Sequence, residues 1–280
     1  MTVRLVLTHG ILLGYNERHA EALPLLRTAN EGLARIYGED SLWMTQSDGV
    51  LVSALLGVGR AEEALPRIER QLARKLRIYG PEHRQALLER RGRARANFLL
   101  GHTEAALAEQ QELLASWLKK GDAMRPVDLS PLMTHLVDTL VQLNRLAEAQ
   151  TVISQALARI EPQQKPTGYE TLRLREQLAR VSELLKDDAS AERLLRQNLA
   201  EGRAAMTHGE WLLGWDEFLL GQFLLARGNR DEAVALVKSG HAGLLAALGP
   251  DDRRTRQAEA LLKQDGRTGS GIATAPVTGF

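Results

Sequence analysis

Residues 59–65 read Gly59-Arg60-Ala61-Glu62-Glu63-Ala64-Leu65, and the chain says nearly the same thing again at Gly101-His102-Thr103-Glu104-Ala105-Ala106-Leu107. It does so twice more, at Asn144-Arg145-Leu146-Ala147-Glu148-Ala149 and Gly228-Asn229-Arg230-Asp231-Glu232-Ala233-Val234. Taken with two weaker copies, the recurring alanines are Ala22, Ala64, Ala106, Ala149, Ala191 and Ala233, spaced by 42, 42, 43, 42 and 42 residues. A period held across six copies is the mark of a repeat architecture, in which one supersecondary unit is stacked on the next.

Other positions keep the same spacing. Pro24 and Pro66 each follow their alanine by two residues, and Tyr37-Gly38 and Tyr79-Gly80 have a counterpart in Leu248-Gly249. A glycine followed by proline or acids, as in Gly80-Pro81-Glu82 and Gly249-Pro250-Asp251-Asp252, ends one helix and starts another. Each copy therefore reads as two helices. In the second copy the first helix carries Leu51, Val52, Leu55 and Leu56 and breaks at Gly59. The second starts near Glu62 and runs through Leu65, Ile68, Leu72 and Leu76, with Pro66 expected in its first turn, where a missing N–H costs little. Twelve residues before each alanine stand Gly10, Val52, Ala94, Val137, Ala179 and Gly221, small or β-branched, as a close approach of two helix backbones requires. Four residues after it stand Leu26, Ile68, Gln110, Ile153, Leu195 and Val237, an apolar seam with one exception.

This pattern resembles the tetratricopeptide repeat (TPR). The period and the signature Tyr79-Gly80-Pro81-Glu82-His83 are similar to the kinesin-light-chain variety, which also occurs in many bacterial proteins; its period exceeds the usual one of about 34 residues. The resemblance spans about Val3 to Leu262. The fifth copy, Lys186-Asp187-Asp188-Ala189-Ser190-Ala191, departs from it, and copies four and five lack a clear Tyr-Gly stop. It implies an all-α, right-handed superhelical solenoid of about six helix pairs over residues 1–264, closed by a capping helix from about Arg253 to Gln264. Residues 265–280, rich in Gly, Ser, Thr and Pro, are expected to be a disordered tail. The ending resembles the last repeat of bacterial arrays, some of which follow a Ser/Thr kinase domain.

Composition narrows the chemistry. The 280 residues are 44% hydrophobic and 25% charged, with Lys+Arg 36 against Asp+Glu 35 and a formal charge of +1, which argues against bulk nucleic-acid binding. Cys is 0, so disulfides and Cys-ligated metal centres are excluded. Apolar runs fall far short of the ~20 residues of a spanning helix. With no export signal recognised at Met1–Leu13, a cytoplasmic location is the default. The seven histidines make no HExxH spacing; His9 falls where other copies place a buried leucine and is expected in the core, while His83 and His102 are expected in solvated connections. No GxSxG or P-loop ending occurs, and Glu62-Glu63, Asp187-Asp188 and Asp251-Asp252 sit where carboxylates favour a helix start. The chain is accordingly read as non-enzymatic, with no cofactor and no metal.

What remains is surface. By resemblance, the first helices line a concave groove, at positions 18, 15, 11, 8 and 7 residues before each alanine. Carried over, these give Arg4, Leu7, Ile11, Gly14 and Tyr15 in copy one and Gln46, Gly49, Ser53, Leu56 and Gly57 in copy two. The candidate peptide-binding set is Arg91, Arg95, Asp138, Arg173, Glu176, Arg180, Trp215, Phe218 and Gln222, with Trp215 and Phe218 as apolar anchors. One stretch breaks the repeat: in Glu89-Arg90-Arg91-Gly92-Arg93-Ala94-Arg95-Ala96-Asn97, Arg93 and Asn97 replace the leucines of neighbouring copies. Either the arginines snorkel outward from a slightly rotated helix, or they line a site that pairs with carboxylates or phosphates. RNA is a poor fit, for want of interleaved aromatics. The expected function is a protein-interaction scaffold holding an extended or helical peptide, acidic or amphipathic, in the groove. The alternative is a regulatory or sensor module, the C-terminal part of a kinase or transcription activator, binding a small ligand or signalling peptide. The first helix, apolar on more than one side with nothing before it, is expected to be covered, by a second copy or by residues outside this sequence.

Overall fold

The computed structural model of the chain describes residues 2–15, 18–38, 41–119, 126–161, 168–205 and 210–267. Every element in it is helical: α1 (Val3–Tyr15), α2 (His19–Tyr37), α3 (Leu42–Gly57), α4 (Ala61–Tyr79), α5 (Arg84–Leu99), α6 (Thr103–Lys119), α7 (Pro126–Gln142), α8 (Leu146–Ile160), α9 (Tyr169–Leu184), α10 (Asp188–Ala205), α11 (Glu210–Leu225), α12 (Arg230–Leu248) and α13 (Arg253–Arg267). They fall into two compact units, Met1–Arg145 and Leu146–Phe280. The last helix passes Gln264 by three residues, and residues 268–280 of the expected tail lie outside the described residues.

The repeat arithmetic maps onto packing. All six periodic alanines sit near the start of a second helix, and each is 0% exposed, so no larger side chain fits there. The small positions twelve residues earlier are equally tight. A Cβ on Gly10 would stand 2.7 Å from Leu26 Cδ2, and one on Gly221 would stand 2.7 Å from Val237 Cγ2. Leu26 and Val237 are the seam residues of those same copies, so the two periodic positions meet face to face. In the third copy the seam residue is Gln110, which is fully buried with neither side-chain polar atom hydrogen-bonded.

The turn inside each copy needs one residue in the left-handed region. Glycine supplies it at Gly59 (φ 77), Gly101 (φ 82) and Gly228 (φ 81), whereas Asn144 (φ 56) and Lys186 (φ 64) adopt it with a side chain. The fifth copy thus departs in sequence but keeps the turn, at a steric cost of roughly 1–2 kcal/mol for a lysine in that region. Between copies, Gly38, Gly80 and Gly249 take φ near +80° and close α2, α4 and α12. The expected absence of this stop from copies four and five concerns links that lie outside the described residues.

Two local expectations need correction. Pro24 and Pro66 are the sixth residue of each helix, α2 starting at His19 and α4 at Ala61, so they occupy the second turn and interrupt a hydrogen bond. The helices simply begin earlier than the first acidic pair suggests. His9 is exposed, not a core residue. The same place in other copies holds Leu51 (1%), Leu136 (0%) and Leu220 (1%), but α1 has no described helix before it, so its outer face, with Leu5 60% and Leu12 56% exposed, stays open.

In the first unit α1 packs on α2, α2 on α3, and so on to α6 on α7; the first helices of successive copies also touch, α1 on α3, α3 on α5 and α5 on α7. In the second unit the chain of contacts runs from α8 on α9 to α12 on α13, with α13 also reaching α11. The α11–α12 crossing is the closest, since a Cβ on Gly240 would fall 2.5 Å from the Gly214 carbonyl oxygen. Ion pairs bridge successive second helices at matching places: Arg27 to Glu63 at 2.5 Å and Arg196 to Glu232 at 2.6 Å. Both are about two-fifths exposed, so each contributes only ~0.2–1 kcal/mol.

Candidate functional site

In the first unit Ile11, Gly14, Gln46, Gly49 and Ser53, five of the ten positions carried over for copies one and two, line a depression, whereas Leu7 is buried in the core. A trough of about 720 Å³ runs along α3, with Gln46, Gly49 and Ser53 on its floor and Ile11 and Gly14 of α1 on one side. A Cβ on Gly14 or Gly49 would meet nothing within 4 Å, so the glycines hold the floor open. The opposite wall comes from a second helix and its exit: Arg74, Lys75, Ile78 and Tyr79 of α4, then His83 and Gln85. Sequence reasoning restricted to first helices missed this wall. The available signal was Ile36-Tyr37 and Ile78-Tyr79, apolar pairs one period apart just before the stop glycines. All four are exposed, Ile78 at 54% and Tyr79 at 51%.

Ring contacts fix the wall. Tyr79 stacks on His83 with centroids 4.5 Å apart, and His83 Nδ1 accepts a hydrogen bond from the Gln85 backbone N–H (3.2 Å), capping α5. Arg74 Nη1 donates to Thr45 Oγ1 (3.1 Å), and Lys75 Nζ donates to Glu89 (2.5 Å). Among the described residues that line the trough there is no aspartate or glutamate. One repeat earlier the equivalent edge carries Trp43, with the Arg4 guanidinium 4.6 Å above its ring. Of the carried-over positions, Arg4 is therefore exposed beside an aromatic, and the Tyr15 side chain is outside the described residues.

The arginine-rich stretch divides by face. Arg90 and Arg93 converge on Glu109 of α6, at 3.0 Å and 2.6 Å, and Glu109 is only 8% exposed. Arg93 thus fills a leucine position as the half-exposed partner of a buried carboxylate. Neither outward snorkelling nor an open anion-binding row describes these two. Arg91 and Arg95 face α7 instead. Arg91 Nη1 donates to the Asp128 backbone carbonyl (3.3 Å), while Asp128's carboxylate takes two 2.6 Å hydrogen bonds from Arg84. Arg95 Nη1 lies 3.6 Å from Asp138 Oδ2, beyond hydrogen-bonding range. Burial lowers the pKa of both arginines from the usual guanidinium value.

In the second unit, the expected groove residues are mostly absorbed into the fold. Trp215 and Phe218 are 2% and 3% exposed and stacked at 5.0 Å, in an apolar cluster that includes Val237 and Leu244 of α12 and Ala258 of α13. Neither is a surface anchor. The capping helix packs where the next copy would sit and covers the sixth copy. Glu176 is similarly engaged, accepting hydrogen bonds from Arg173 Nη1 (2.8 Å) and Trp215 Nε1 (3.3 Å). Arg180 and Gln222 are half-buried. Beside Glu176, Asp216 is 3% exposed and its Oδ2 has no hydrogen-bond partner. Burial first, and Glu176 second, push its pKa up to about 8.

Among the described residues no three His, Cys, Asp or Glu side chains are grouped to hold a metal ion, and no helix is long and apolar enough to cross a membrane. No family model matches the chain, and no curated protein matches it. Solved structures do. The chain is similar to BtubC (BKLC) from P. vanneervenii with a TM-score of 0.61 and 14% identity, over 92% of this chain and 96% of that one. A Podosopora anserina protein described as a putative kinesin light chain with nearly identical TPR-like repeats aligns at TM-score 0.57 and 21% identity, over 72% of this chain and 95% of that one. A point variant of that protein aligns at 0.58 and 20%, over 74% and 97%. The fold is that of TPR-like repeat proteins of the kinesin-light-chain kind, as the period and the Tyr-Gly-Pro-Glu-His signature imply.

Proposed function

We propose that this chain is a non-catalytic protein-interaction scaffold, and that the trough of the first unit holds an acidic, amphipathic segment of a protein partner. The observation that supports this reading is the make-up of the trough. Its polar wall presents Arg74 and His83 with no lining carboxylate, Lys75 being held by Glu89 behind it, and its apolar surface offers Ile11, Val50, Ile78 and Tyr79. A peptide with acids on one side and aliphatic or aromatic residues on the other would satisfy both. Apolar anchors would supply most of the affinity, because ion pairs at a wet rim contribute only ~0.2–1 kcal/mol each.

The test is parallel affinity capture with the full chain and two variants, read by mass spectrometry. Gly49→Trp fills the trough from its floor, where a side chain has open space. Arg74→Glu reverses charge on the wall. A partner held in the trough is lost by Gly49→Trp at every salt concentration, and weakened by Arg74→Glu chiefly at low salt. If both variants, with helical content intact, retain the same partners as the parent, the trough is not the binding surface.

A further inference from the structure

Between α5 and α7 the first unit holds three cationic or potentially cationic side chains with unused hydrogen-bonding capacity. Arg95 Nη1 and His135 Nδ1 are both sealed from solvent without a hydrogen-bond partner. Arg91 has a single hydrogen bond, to a backbone carbonyl. Buried donors left unbonded are costly, more so when charged, so their persistence in one cluster needs a reason. The nearby acids balance part of the charge, Asp138 as the ion-pair partner of Arg95, but complete no side-chain hydrogen bond to Arg91 or Arg95. Asp128 is held by both terminal contacts of Arg84, and Asp138 stays 3.6 Å from Arg95. Arg91 and Arg95 are four residues apart on α5 and so share a face. On α7, His135 lies between Asp128, which meets Arg91, and Asp138, which approaches Arg95.

We propose that α5 and α7 form an oxyanion-binding site in which Arg91, Arg95 and His135 hold a phosphate or carboxylate group of a small molecule. A guanidinium pair offers forked donors matched to such an anion, and the imidazole adds a third from the facing helix. The Arg95 and Asp138 side chains retain 17% and 11% exposure, so the cluster lies just beneath the surface. The site is separate from the trough on α3, and the two proposals fail independently.

Binding should also move a proton. Burial, then Arg95 and Arg91, hold His135 down to about 3, so it is neutral. The other helix packed on α7 is α6, and it turns its buried Glu109 toward Arg90 and Arg93. An anion placed between the arginines reverses the local field and favours the imidazolium. Binding therefore draws a proton onto His135 and weakens as pH rises.

Calorimetric titration of the full chain with inorganic phosphate, and separately with succinate, tests this at about pH 6 in two buffers of different ionisation enthalpy. Saturable one-to-one binding of either anion is expected, with more proton uptake, or less release, than in His135→Gln, where only the anion's own ionisation changes. Binding of phosphate alone identifies a phosphate site, and of succinate alone a carboxylate site. Arg95→Gln should weaken binding about tenfold or more. Should a variant lose its helical signal, the parent alone decides. In histidine-labelled protein the His135 ring resonances shift on titration if the site is real. No saturable binding below roughly 10 mM, or an Arg95→Gln variant that binds like the parent, overturns the proposal.

Discussion

Asp216 gives the second unit a stability that falls as pH rises. The carboxyl is 3% exposed beside Glu176, and its pKa is pushed up to about 8, against ~3.9 for an aspartate in an unfolded chain. The groups that act on it are Glu176 and Glu217, which raise it, and Arg173, which lowers it. Between those two values the folded state binds a proton that the unfolded state has released. Stability therefore decreases with pH in this window, by at most ~1.4 kcal/mol per pH unit, and levels off above the folded value. From about pH 6 to about pH 8.5 the expected loss is ~2–3 kcal/mol, a large share of the ~5–15 kcal/mol of an ordinary domain. Asp216→Asn keeps the shape and removes the ionisation, so it should flatten the profile and exceed the parent in stability at high pH. Denaturant melts followed by tryptophan fluorescence measure this. In a Trp43→Phe, Trp117→Phe background the reporters are Trp211 and Trp215, and Trp215 donates its indole N–H to Glu176. Parallel loss of stability in parent and Asn variant over this range would refute the argument.

Four further substitutions test the repeat geometry. Gln110→Leu restores the apolar seam residue of the other copies and removes two buried, unbonded polar atoms; thermal melts should show a gain of about 1–2 kcal/mol. Lys186→Gly relieves the left-handed turn of copy five and should stabilise by about 1 kcal/mol, whereas Gly59→Lys at the matching turn should cost a similar amount, both read from denaturant midpoints. Gly240→Ala forces a methyl against the Gly214 carbonyl oxygen and should cost ~1–3 kcal/mol, with hydrogen exchange rising first in α11 and α12.

How far the sequence could be read depends on whether a residue's surroundings repeat. The alanines recur in all six copies, the apolar seam in all but the third, and a turn glycine in copies two, three and six, so one period placed them correctly. Prediction failed where the neighbours change. His9 and Phe218 occupy periodic places, but one belongs to a first helix with no described helix before it and the other to a last copy covered by α13, so exposure and burial are exchanged relative to expectation. Arg93 shows a different limit. At a core position it looks functional or misplaced, and only the approach of Glu109 from the adjoining helix reveals an internal ion pair. The Arg74–Tyr79 wall escaped notice for a third reason: it lies on the second helices, which the resemblance does not assign to a groove.

The two units differ at the carried-over lining positions for the same physical reason. Groove-facing positions in the first unit are occupied by Gly14, Gly49 and Ser53, and the space above them is empty. In the second unit they are occupied by Glu176, Trp215 and Phe218, which are buried and engaged with one another or with α12 and α13. A large aromatic at a lining position attracts a partner only if it is exposed; once covered by a capping helix, it serves stability. Trp215→Ala should therefore act as a core truncation, costing about 3–5 kcal/mol and melting α11 to α13. Binding through the trough on α1, α3 and α4 should survive it, provided the first unit stays folded. A Trp215→Ala protein whose first unit is folded and which has lost the partners that Gly49→Trp also loses would show that the trough does not act alone.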